Sequence, residues 1–179
     1  MAKFKSVTIK PTSAKQEDLR PVEIHFNRLN KSHRQPTNQL LHFICVPVMV
    51  FSVLGLAWAI PFPQFKFMAA YQGYFNWASF VIAFWVYYTL KLSPVLSYLM
   101  LFVLFGFSYG VMQLSLWEQA GGIPLIWVST LFFGLAWLGQ FIGGNIEGNK
   151  QSFEDDKQLV LITPIWVLHF LAKKIRFKY

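Results

Sequence analysis

Polar and charged residues crowd the first 38 positions of the chain and then almost vanish. No Asp, Glu, Lys or Arg lies between Arg34 and Lys66, between Lys66 and Lys91, between Lys91 and Glu118, or between Glu118 and Glu147. Each gap exceeds the roughly 20 residues a helix needs to cross a hydrocarbon core of about 30 Å. The first apolar run, TNQLLHFICVPVMVFSVLGLAWAI, predicts a helix with Thr37 as N-cap, a kink at Pro47 and an end at Pro61 and Pro63. A second span is predicted from about Phe75 to Leu90 and a third from Val95 to Trp117. The link at residues 91–94, Lys-Leu-Ser-Pro, is so short that these two form an antiparallel hairpin. Glu118 and the GGIP at 121–124 make the next turn, and a fourth span runs from about Leu125 to Ile142.

The flanks are different. Residues 1–20 mix Pro, Ser, Thr, Lys and Gln without periodicity and read as a mobile basic tail, with no signal-peptide pattern. A short helix over Pro21–Asn30 would rest Ile24, Phe26 and Leu29 on the membrane surface. After the polar loop GGNIEGNKQSFEDDK comes QLVLITPIWVLHFLA, only 15 residues long and containing Pro164. That is short for a crossing, so a re-entrant or interfacial helix is expected. The fold class is therefore all-α: a polytopic membrane bundle of about four transmembrane helices plus this C-terminal helix. Residues 21–179 form its single domain.

Composition strengthens that reading. The chain is 55% hydrophobic and 13% charged, where soluble domains carry nearer one quarter charged residues. The net charge of +8 comes from the ends, with eight Lys/Arg before His42 and four after Ala172. Basic flanks on apolar spans mark cytoplasmic ends near anionic lipid, which argues against a nucleic-acid partner. Four spans place both termini in the cytoplasm; five would carry Lys173, Lys174, Arg176 and Lys178 across. Trp58, Trp77, Trp117 and Trp127 fall near span ends, as in an aromatic belt. The single cysteine, Cys45, allows neither an intramolecular disulfide nor a Cys-based zinc cluster. Glu154, Asp155 and Asp156 read as a solvated surface run.

Candidate chemistry gathers at one end. With four spans, the start of span one and the end of span four face the same side, so His33, Asn38 and His42 share it with Asn145 and Glu147. Asn38 and His42 are four apart, on one helical face. Neutral imidazole suits iron, zinc and copper, and a carboxylate complements it, so two His with a Glu could form a facial metal site with open positions. The alternative is that these groups bind headgroups or cap helix ends, as polar residues at interfaces do. Gln140, inside span four, could line a pocket or bond a neighbouring helix. His169 is either a third nitrogen ligand or an interfacial anchor. There is no HExxH, nucleophile elbow or phosphate-cradling glycine loop.

HRQPTNQLLHFICVP resembles the first signature of the Mpo-type 2-hydroxy fatty acid dioxygenases, and GQFIGGNIEGNKQSF followed by LVLITP resembles the second. The likeness covers about residues 24–172 and is nearest to the short bacterial members. It implies an integral multi-pass protein, of a bacterial inner membrane rather than the endoplasmic reticulum, that shortens 2-hydroxy fatty acids by one carbon with Fe(II) and molecular oxygen. Carried over residue by residue, His33, Asn38 and His42 match the first block, and Gln140, Gly143 and Glu147 the second. The family pattern has a histidine where this chain has Gly144, so the resemblance implies metal ligands His33 and His42 in a weakened shell. His169 could stand in only if the last helix folds over the mouth of the bundle. Two other classes stay open: a lipid-binding relative without turnover, and a membrane scaffold without metal.

Overall fold

The computed structural model describes residues 21–32, 35–63, 75–147 and 157–174. The predicted tail 1–20, His33 and the acidic run 154–156 lie outside them. Every element among the described residues is a helix: α1 (Pro21–Ser32), α2 (Pro36–Ala59), α3 (Trp77–Leu92), α4 (Pro94–Gln119), α5 (Leu125–Glu147) and α6 (Lys157–Lys174).

Local chemistry sets the boundaries. α2 begins ahead of Thr37: Gln35 is its extended N-cap, Pro36 opens the first turn, and Gln39 N–H donates to the Gln35 carbonyl at 3.0 Å. Proline suits that position because its φ is preset and its missing N–H would have had no helical partner. The helix runs through Pro47 to Ala59. Asn76 caps α3, its Oδ1 accepting the Ser79 N–H at 3.1 Å. Ser93 alone joins α3 to α4, and the hairpin is clasped inside by Thr89 Oγ1 donating to Ser97 Oγ at 3.0 Å. Between α4 and α5, Gly121 takes a φ of 95°, the left-handed region where a Cβ is penalised. Glu118 Oε2 then accepts the Leu125 N–H at 3.1 Å, satisfying a donor at the start of α5.

α2 is the central helix, packed on α3, α4, α5 and α6. Its seam with α5 is antiparallel and made of small residues. A Cβ on Gly143 would strike Asn38, one on Gly139 would strike Cys45, and one on Gly55 would strike Ser129. Such close backbone approach is how helices associate where lipid removes the hydrophobic drive.

α6 is packed into the protein along most of its apolar stretch. Ile162, Pro164, Ile165, Trp166 and Val167 are all buried, and Val22, Phe26 and Leu29 of α1 pack into the same cluster. Phe26 and Leu29 thus face α6, correcting the expectation that they rest on the membrane; Ile24's side chain lies outside the description.

The outward faces stay apolar. On α4, Tyr98, Phe102, Phe105, Tyr109, Met112 and Leu116 make an exposed stripe at helical spacing. α2, α4 and α5 are long and apolar enough to cross a membrane. α3 has 16 residues, about 24 Å at 1.5 Å per residue, so counting it as a fourth span requires local thinning of the bilayer. Trp58, Trp77, Trp117 and Trp127 all lie at the end of the bundle away from His42, and Trp77 Nε1 ties α3 to the Pro61 carbonyl at 3.3 Å.

Candidate functional site

The start of α2 and the end of α5 meet, as the crossing count predicts. Asn38 is 1% exposed, and its Oδ1 lies over the Cα of Gly143, with Leu41 beside it. Glycine is needed there because any side chain would occupy the space of the Asn38 amide. One turn deeper, His42 is 9% exposed with its Nδ1 fully buried.

The wall facing His42 comes from α6. The Trp166 indole stands edge-on to the imidazole, with ring centroids 6.2 Å apart and planes at 88°. Phe43 stacks on the same indole at 6.4 Å and 15°, and Phe170 closes on it at 4.9 Å. Trp166 itself is 0% exposed. Sequence reasoning passed over it. The available signal was an indole inside the short apolar segment, two residues after Pro164 and three before His169.

The other expected residues divide. The His169 ring lies 4.6 Å from Phe26 of α1 and its Nδ1 is buried, while Trp166 on the same helix reaches His42. Gln140 is half-buried on α5, next to Gly139, which abuts Cys45. Gly144 and Asn145 are exposed, and a Cβ on Gly144 meets no described atom within 4 Å. Among the described residues, none walls an imidazole-shaped cavity at position 144. Glu147 ends α5 one turn beyond Gly143. Its side chain, like all of His33, lies outside the described residues.

The donor chemistry suits a metal that prefers imidazole, since His42 and His169 both present buried ring nitrogens in largely apolar surroundings. Among the described residues, however, no three His, Cys, Asp or Glu gather as a metal-holding group. A metal held at His42 would need donors from beyond these residues, His33 and Glu147 being the ones the sequence offers. Of the aromatic rings here, Trp166 stands against the His42 imidazole, and Phe43 and Phe170 pack on Trp166.

Residues 19–175 match a family model described as 2-hydroxy-palmitic acid dioxygenase Mpo1-like. Neither a curated protein nor a solved structure matches the chain.

Proposed function

The chain belongs to the Mpo1-like family, and on that premise we propose that it is an iron-dependent dioxygenase that shortens 2-hydroxy fatty acids by one carbon. The observation that supports this reading most is the junction of the two sequence blocks. Asn38 of the first lies on Gly143 of the second, and a buried histidine sits one turn below.

In the proposal His33 and His42 hold the iron, with Glu147 as carboxylate and His169 as a further imidazole on the helix that folds over the site. Iron, when bound, supplies affinity for oxygen and for the 2-hydroxy-carboxylate of the substrate, making C1–C2 the bond that breaks. The protein's own part is placement. Asn38 and Gln140 present amide groups near the junction, suited to orienting a hydroxy acid. Trp166, backed by Phe43 and Phe170, shields one side of the imidazole from water. The exposed apolar faces of α4 and α5 keep the protein in lipid, from which an acyl chain arrives sideways. Both termini and the His42 end then face the cytoplasm.

The test is iron content and turnover of 2-hydroxypalmitate by purified protein in detergent. Wild type should carry iron and release the shortened product, and His42→Ala should lose both. Wild type without iron or turnover overturns the proposal. A second reading, a relative that binds lipid without converting it, is favoured by the glycine at 144. It predicts that iron and turnover arise only in Gly144→His.

A further inference from the structure

We propose that Trp166 is a positioning residue: α6 helps to set the orientation of the His42 imidazole through its indole. The inference rests on the reading of His42 as a ligand, and its first test is independent of metal and activity.

The argument starts from what holds His42. The residue lies on α2, but a helix fixes only its Cα–Cβ direction; χ1 and χ2 are set by neighbours. At this end of the seam α5 contributes Gly143, which has no side chain to brace a ring. The Trp166 ring stands against His42 at 6.2 Å and 88°. An edge-on arrangement is the one the aromatic quadrupole favours, and turning the imidazole would lose it. The indole itself is held on two sides, by Phe43 at 15° and 6.4 Å and by Phe170 at 79° and 4.9 Å. It is fully buried in the cluster that joins α6 to α1 and α2. Pro164, two residues earlier, removes one backbone N–H from α6, yet the helix continues and presents the indole towards α2.

A merely structural Trp166 would behave like its neighbour Ile162. That residue lies one turn away on α6, is also 0% exposed, and belongs to the same cluster. A positioning Trp166 differs from it in what happens to His42.

The experiment uses the full chain in detergent after chelation, treated with diethyl pyrocarbonate, with His42 modification followed by mass spectrometry. Trp166→Leu, which keeps the core apolar, should raise the His42 rate by about tenfold, whereas Trp166→Phe, which restores an aromatic ring, and Ile162→Ala should stay within about twofold. In a second arm the proteins are loaded with Co(II). Trp166→Leu should change the shape of the visible absorption band, and the other two should match wild type. An unchanged His42 rate in Trp166→Leu, or an equal rise in Ile162→Ala, overturns the proposal. If no variant binds cobalt, the dioxygenase reading fails, and the labelling arm alone still decides whether Trp166 holds His42.

Discussion

Gly143 and Gly144 are chemically identical neighbours, so substituting each by alanine isolates the α2–α5 seam. Successive helical positions point about 100° apart. A Cβ on Gly143 enters the space of Asn38 Oδ1 and lies 3.5 Å from both Asn38 Cγ and Leu41 Cδ1. Asn38 is 1% exposed, so its amide has little room to swing aside. A Cβ on Gly144 meets nothing described within 4 Å. Both variants gain the same helix propensity, about 0.5–1 kcal/mol. That gain cancels in the difference, leaving the overpacking cost at Gly143, about 1–3 kcal/mol. Gly144→Ala should therefore equal or exceed wild type, with Gly143→Ala less stable than it by that amount. Reversible unfolding in mixed SDS–maltoside micelles, followed by circular dichroism, measures the difference. A Gly143→Ala protein as stable as Gly144→Ala would refute the seam as described. The same variant should also lower turnover, since it displaces the amide one turn from His42.

Two further outcomes follow from the fold. Glu118→Ala removes the acceptor for the Leu125 N–H and should cost about 0.5–2 kcal/mol in the same unfolding assay, with Glu118→Gln recovering most of it. Phe105, 65% exposed near the middle of α4, should face lipid. Phe105→Lys should then raise the apparent insertion free energy of α4 by about 3–4 kcal/mol in a glycosylation-based insertion assay, and no change would argue against a lipid-facing stripe.

Much of this architecture is legible in the residue pattern because lipid imposes a simple rule: a spanning helix must be long and uncharged. α2, α4 and α5 are therefore found close to their predicted places. The smaller errors have local causes. Thr37 is a fair cap by residue type, but Pro36 before it fits the first turn better, so the helix starts earlier. Phe26 and Leu29 have the spacing of an amphipathic surface helix, and that spacing does not say whether the apolar face meets lipid or protein. Here it meets α6.

The site divides along the same line. The order and spacing of residues 33–42 and 140–147 by themselves determined that two polar blocks belong to one end of an antiparallel bundle, because helix length and crossing parity are properties of the chain. Only the tertiary structure decided what each block does there. It laid Asn38 on Gly143, turned Gly144 outward, and set Trp166 from a distant segment beside His42. These outcomes depend on helix rotation and on which short apolar segment folds inward, and both are decided by packing between helices that the linear pattern does not encode.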